Sequence, residues 1–202
     1  AGLLVVGREA GAEGRERALS SLVSNVSITG QSLALPSISA DLSGEAWARL
    51  LAQVGTSTLL STAQLQRAGL AGVTLFADRI QHGNVATQDA ANLQLPAGGS
   101  YIVKAREGDV VLNGRITIPG GSIDVTAQRG DVLLTTGSKL DAGGSRGNDR
   151  VASNQAVAPA FKGGSVTLKA FDDVTLEGGS EVDVSGAAWR GTDGKLAKGS
   201  AG

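Results

Sequence analysis

Residues 120–142 read GGSIDVTAQRGDVLLTTGSKLDA, and two other stretches repeat this pattern almost position for position. Residues 98–119 read GGSYIVKAREGDVVLNGRITIP, and residues 163–185 read GGSVTLKAFDDVTLEGGSEVDVS. A repeat of this length is a single supersecondary unit, too small to bury an apolar face by itself. The copies must therefore stack on one another to build a continuous core.

Each copy predicts three short strands separated by turns. After GGS, apolar residues alternate with mostly polar ones, which is the period of a strand with one buried face. Two shorter alternating runs follow, and glycine, asparagine or aspartate stands at the corners, where tight turns favour these residues. The predicted inward positions of the three copies are Tyr101, Ile123 and Val166, then Val103, Val125 and Leu168, then Val110, Val132 and Val174, then Leu112, Leu134 and Leu176, and finally Ile116, Leu140 and Val182.

This pattern predicts an all-β fold, a parallel β-helix (β-solenoid) of three-strand coils. The small aliphatic inward residues suit a narrow interior, and like positions of neighbouring coils would lie about 4.8 Å apart. The main alternative is a β-sandwich. A sandwich usually shows strands at a spacing of roughly 8 to 12 residues, without such identity of corners between copies.

The rest of the chain is less regular. Apolar residues at helical spacing over residues 45–54, and a capping-box pattern at residues 61–64, predict two short helices inserted among the strands. We interpret residues 1–202 as one segment of a longer protein. Its predicted parts are irregular first coils at 1–42, a helical insertion at 43–69, and regular coils at 72–202 with loop insertions at 143–162 and 186–198.

The composition excludes several classes of function. The formal net charge of −1 gives no indication of a nucleic-acid partner. No apolar run reaches about 18 residues, so we predict no membrane insertion of this segment. The chain has no cysteine, which excludes disulfides and zinc–thiolate sites. The single histidine, His82, stands beside a predicted turn with no motif around it, so we predict no metal site and no cofactor.

The pattern GGS-x-φ-x-φ-x-A-x-x-G-D-V-x-L followed by G-S-x-φ-D-φ, where φ is apolar, resembles the repeats of filamentous haemagglutinin-type exoproteins, the large adhesins of two-partner secretion. Residues 59–78 (LLSTAQLQRAGLAGVTLFAD) also resemble a linking segment of that group. The resemblance covers residues 59–202. It implies a right-handed parallel β-helix, exported by a Gram-negative bacterium through an outer-membrane transporter and secreted or held at the cell surface.

The function predicted from these observations is a structural shaft or adhesive segment of a surface exoprotein. Its partners would be a host-cell receptor, a glycan or another bacterium. Two alternatives remain open at this point. One is a polysaccharide lyase or glycoside hydrolase on the same scaffold, since one fold hosts many functions. The other is a passive spacer that carries a distal effector domain.

Arg129, Gly130 and Asp131 spell the tripeptide RGD, which in a surface adhesin suggests integrin binding from an exposed turn. The neighbouring copies weaken this hypothesis. The same corner carries Gly108 and Asp109 one copy earlier, so the Gly-Asp pair is what this turn uses to change direction. The alternative to integrin binding is that one preceding arginine completes the motif by chance.

Asp141 and Asp183 occupy equivalent outward positions on the third strand of adjacent copies, and they are the candidate catalytic residues. Paired carboxylates are what polysaccharide-cleaving enzymes use as acid and as base or nucleophile. The alternative is a solvated charged ladder, and Thr117 ends the acidic column. Trp189, in the second loop insertion, is a candidate glycan contact, and its alternative role is to anchor that loop.

Overall fold

The computed structural model describes residues 2–7, 24–32, 57–145, 162–190 and 192–202. Within them the chain forms strands and one short helix. The first strands are β1 (Gly2–Val6), β2 (Asn25–Thr29) and β3 (Ser57–Ser61), followed by helix α1 (Thr62–Arg67), β4 (Leu70–Ala77), β5 (Arg79–His82) and β6 (Ala91–Gln94). The remaining strands are β7 (Ser100–Ala105), β8 (Val110–Leu112), β9 (Gly114–Thr117), β10 (Ser122–Ala127), β11 (Val132–Leu134), β12 (Lys139–Asp141), β13 (Ser165–Lys169), β14 (Val174–Leu176), β15 (Glu181–Asp183), β16 (Ala188–Arg190) and β17 (Leu196–Lys198).

Three parallel sheets carry the fold. The first sheet has the order β1-β4-β7-β10-β13, the second β14-β11-β8-β5-β2-β3, and the third β15-β12-β9-β6. Within the repeats, successive strands of the chain belong to successive sheets, so each copy contributes one strand to each sheet. The last two strands, β16 and β17, form a separate antiparallel pair.

The pairing of the strands confirms the alignment of the three copies. In the first sheet Ile123 lies between Tyr101 and Val166. In the second sheet Val132 lies between Val110 and Val174. In the third sheet Leu140 lies between Ile116 and Val182. Equivalent residues of the repeats are therefore direct neighbours across strands, as the copy-to-copy identity predicts.

The core lies between the three sheets and consists of the residues that alternate inward. Most of these side chains are almost completely buried, and aliphatic residues from all three sheets contact one another in a single cluster. Three predicted inward residues of the last copy are exceptions, because Val174, Leu176 and Val182 are 39–50 % exposed. The cluster includes Val73, Val103 and Val125 from the first sheet, Ile80, Val110 and Val132 from the second, and Leu93, Ile116 and Leu140 from the third.

The predicted fold class needs correction. The structure shows three stacked parallel sheets, and the parallel β-helix of regular three-strand coils is not shown. In the second sheet β3 lies outside β2, so the order of strands there departs from the order of the chain, and the third sheet begins only at β6. The physical reason is that a repeat determines which residues of its own copies pair. It does not determine the path of the chain outside those copies.

Three local predictions have different outcomes. The short helix expected after Ser61 is present as α1, but the capping box is not formed, because the Ser61 hydroxyl donates to the carbonyl of Gln31. The predicted insertion at 186–198 contains the hairpin of β16 and β17 rather than a loop. The helix predicted at 45–54 and most of the insertion at 143–162 lie outside the described residues.

The core contains one pair of polar rings. His82 is completely buried at the end of β5 rather than placed in a turn, and its Nδ1 lies 3.0 Å from the Tyr101 hydroxyl. Its Nε2 lies 2.8 Å from the carbonyl oxygen of Ala91. A carbonyl can only accept, so Nε2 carries the proton and Nδ1 accepts from Tyr101. The two rings meet edge to face, with centroids 5.7 Å apart. Both polar groups are thus satisfied with a neutral imidazole.

Candidate functional site

The Arg129-Gly130-Asp131 turn is tied into the stack of repeats. The Arg129 guanidinium pairs with the carboxylate of Glu107 at 3.0 Å, and both side chains are exposed. Gly130 is buried against the turn of the preceding repeat, where an added Cβ would lie 2.6 Å from Asp109 Oδ1 and 2.7 Å from the carbonyl carbon of Gly108. The glycine is therefore needed for close packing between repeats. Integrin binding by this tripeptide stays a prediction.

Aspartates at this corner form a hydrogen-bonded ladder. The backbone N–H of Asp131 donates to Asp109 Oδ1 at 3.0 Å, and the N–H of Asp173 donates to Asp131 Oδ1 at 2.8 Å. Each carboxylate thus accepts from the amide of the following repeat. The ladder gives the recurrent aspartate a structural role that does not depend on a partner.

The two candidate catalytic carboxylates, Asp141 and Asp183, are direct neighbours in the third sheet. Lys139 lies between them, with its Nζ 3.6 Å from Asp141 Oδ2 and 3.6 Å from Asp183 Oδ2. The same ammonium pairs with Glu181 at 2.9 Å. The charged side chains at this position therefore form one ion-pair cluster around a lysine, with Thr117 next in the column.

Two groups of this cluster, Lys139 and Asp183, have pKa shifts that favour their charged forms. The backbone N–H of Ser185 donates to Asp183 at 2.9 Å and, together with Lys139, lowers the pKa of Asp183. The hydrogen bond to Glu181 raises the pKa of Lys139. A glycosidase needs one carboxyl group that stays protonated to act as the acid. The lowered pKa of Asp183 and the raised pKa of Lys139 do not provide such a protonated carboxyl group.

The third candidate, Trp189, lies at the centre of β16 and pairs with Ala197 of β17. At the base of the hairpin the N–H of Gly199 donates to the carbonyl of Ala187 at 2.8 Å. The orientation of the Trp189 side chain lies outside what the structure describes, and its glycan-contact role stays a prediction. The three candidates lie on different elements: the RGD turn joins β10 to β11, the aspartate pair belongs to the third sheet, and Trp189 belongs to the separate hairpin.

A depression on the solvent face of the second sheet was not predicted from the sequence. It has a volume of about 590 Å³. Alternation along β2 and β5 turns Val26 and Ile80 into the core and leaves their neighbours on the outside. The side chains that line the depression include Asn25, Ser27, Arg79, Gln81, Asp109 and Val111.

A second depression of about 320 Å³ adjoins the first along β2. Ser27 and Gln81 line both, so the two depressions share a boundary. The far end of the second depression is held by Asp89, which accepts hydrogen bonds from the Thr29 hydroxyl at 2.5 Å and from the N–H of Gly30 at 3.0 Å. Other lining residues are Leu59, Asn84 and Thr87.

Several polar side chains of this surface have no partner among the described residues. Within the described part of the chain, the side chains of Ser27, Arg79 and Gln81 have no hydrogen-bond or ion-pair partner. Asn25 makes one long contact, 3.4 Å, to the Ser57 hydroxyl. These residues are far apart in the sequence and lie outside the three clear copies. Only the pairing of β2 with β5 brings them together.

Other types of site find no support in the described ranges. No group of three or more histidine, cysteine, aspartate or glutamate side chains there could hold a metal ion. No helix in those ranges is long and apolar enough to cross a membrane.

Comparison with family models, with curated proteins and with solved structures finds no match in any of the three.

Proposed function

We propose that the chain is an adhesive segment of a secreted bacterial surface protein, and that it binds its partner on the solvent face of the second sheet. The observation that carries the proposal is the pair of adjoining depressions that share Ser27 and Gln81, with Arg79 lining the first. The hydrogen-bonding groups of these three side chains have no partner in the described part of the chain. A concave surface with a few converging polar groups is the usual form of a binding site.

Binding is favoured over catalysis by the charged state of Asp183 and by the position of the carboxylate pair. Asp183 has a lowered pKa and lies beside Lys139, so it is a poor proton donor at neutral pH. The Asp141–Asp183 pair also lies on the third sheet, whereas both depressions lie on the second. The polar groups of the depressions can bind a partner without a proton transfer.

The resemblance of the repeats to filamentous haemagglutinin-type exoproteins supports export as well. We propose export through an outer-membrane transporter and exposure at the surface of a Gram-negative cell. The partner would be a host-cell receptor, a glycan or the surface of another bacterium. The many side-chain hydrogen-bonding groups of the second sheet suit such an exposed interface.

The test is attachment of the purified chain to cultured cells and to a glycan array. The informative variant is Arg79→Ala with Gln81→Ala, and the matched control is Thr126→Ala, which changes an outward residue of the first sheet. We expect the double variant to lose at least about tenfold in affinity, which corresponds to about 1.4 kcal/mol, and the control to bind like wild type. Equal binding by all three proteins would place the interface elsewhere. Absence of any binding would favour the spacer.

A further inference from the structure

We propose that the two depressions form one extended site for a neutral oligosaccharide that lies along β2. The first depression begins at Asn25 and the second ends near Thr29. Four residue steps of a strand cover about 13 Å. Because Ser27 and Gln81 line both depressions, a linear ligand can pass from one to the other over these two side chains.

The chemistry of the lining suits hydroxyl groups. A sugar hydroxyl donates one hydrogen bond and accepts others, and the Gln81 amide offers both kinds of partner. Arg79 supplies donors at one end, and Asn84 and Thr87 line the other. Leu59, 55 % exposed, provides an apolar surface for the carbon-bound hydrogens of a sugar ring.

The charges of the lining argue against a strongly charged ligand. Among the described lining residues of the two depressions there is one cation, Arg79, and there are two carboxylates, Asp109 and Asp89. Each carboxylate already accepts hydrogen bonds from protein groups. A polyanionic glycan would meet more negative than positive charge, and like charges held close together are unfavourable. A ligand without net charge avoids this repulsion.

The position of the site on the sheet favours a sugar over an extended peptide. A peptide that adds a strand binds to the backbone groups at the edge of a sheet. Here the depressions lie on the face of the sheet, where the backbone groups of β2 pair with β3 and β5. The ligand therefore meets side chains, and its own groups must be distributed along its length, as the hydroxyls of an oligosaccharide are.

This inference depends on the proposed function, and the experiment separates the two. The probes are neutral oligomers of glucose, galactose, mannose and N-acetylglucosamine, one to four units long, measured by calorimetry against the purified chain. We expect the affinity for at least one series to rise about tenfold or more from one unit to three. Gln81→Ala should abolish this dependence on length. Asn84→Ala should lower the affinity for the longer oligomers and leave the affinity for the single sugar unchanged. Thr126→Ala is the control.

Two outcomes would overturn the inference. If no neutral oligomer binds while the chain still attaches to cells, sulfated glycans or peptides, the site is not for neutral sugars and the adhesive function stands. If oligomers bind with no dependence on length, or equally well after Gln81→Ala, the two depressions do not act as one site. Failure of attachment to every cell type and glycan would refute the proposed function itself.

Discussion

Acidification should weaken the fold through His82. In the folded chain the imidazole is fully buried, and its two nitrogens are occupied by the Tyr101 hydroxyl and the Ala91 carbonyl. A proton on Nδ1 would face the Tyr101 oxygen, and that hydroxyl could no longer donate to the ring. Asp89 is the charged group that favours the protonated form, and its effect is smaller than that of burial.

The size of the effect follows from the pKa of His82. Burial lowers this pKa from 6.5 to about 4, because the interior cannot solvate an imidazolium. At about 1.36 kcal/mol per pKa unit, the difference corresponds to about 3.4 kcal/mol. The unfolded chain takes up the proton below about pH 6.5 and the folded chain only near pH 4. The free energy of unfolding is therefore unaffected by His82 above pH 6.5 and falls as the pH drops through that window.

The assay is urea unfolding followed by circular dichroism at pH 7 and at about pH 4.5. The wild type is compared with the double variant His82→Leu with Tyr101→Phe, which removes the imidazole and the hydroxyl together. Carboxylates that titrate in this range are common to both proteins, so their effect cancels. From pH 7 to pH 4.5 the wild type should lose about 2.5 kcal/mol more than the double variant. Equal losses would refute the reasoning.

A titration of the wild type gives the same answer without a variant. Nuclear magnetic resonance of the imidazole should show His82 neutral down to about pH 4 while the chain stays folded. An ordinary pKa near 6.5 in the folded chain would contradict the burial of this ring.

The repeats allow three further tests, all read from the midpoint of urea unfolding. Gly130→Ala should cost about 1–3 kcal/mol, because its Cβ would overlap the backbone of the preceding repeat; Gly178→Ala, which has no atom within 4 Å of its Cβ, should be neutral or stabilise by up to about 1 kcal/mol. Leu134→Ala should cost about 2–5 kcal/mol because the side chain is fully buried, whereas Leu176→Ala, at the same position of the next repeat but 50 % exposed, should cost less than about half as much. Asp131→Ala should cost about 1 kcal/mol by removing the acceptor for the amide of the following repeat, and Asp131→Asn, which keeps an acceptor, should cost less. If both variants of a pair lose the same free energy of unfolding, the stabilising contact between repeats that we assign to that residue is absent.

The register of the sheets could be predicted because three copies of one pattern were present. Equivalent residues of stacked copies must pair, and Ile123 lies between Tyr101 and Val166 accordingly. The overall architecture could not be predicted in the same way. Nothing in the local alternation of residues 25–29 indicates that β2 lies between β3 and β5. That arrangement depends on contacts between segments that do not resemble one another.

The candidate site residues show the same difference between what the repeats determine and what the packing determines. The sequence could predict that Asp141 and Asp183 are neighbours on adjacent strands, because both belong to clear copies. The lysine that joins them was visible in the sequence only as a nearby charge. The sequence did contain an indication that His82 is buried, because His82 follows Ile80 by two residues and therefore lies on the same face of the strand. Its hydrogen bond to Tyr101 required the packing of the sheets around it.

The aspartate ladder has a consequence for how such a chain can lengthen. At each step the acceptor is the side chain of Asp109 or Asp131, while the donor is a backbone amide of the following repeat. Any non-proline residue can supply that amide, so the demand for a particular side chain lies on one side of the junction only. A duplicated repeat that carries its own aspartate adds one carboxylate acceptor, and its backbone amide donates to the aspartate of the preceding repeat. Tandem duplication of whole repeats can therefore extend the chain without requiring a compensating substitution at this corner.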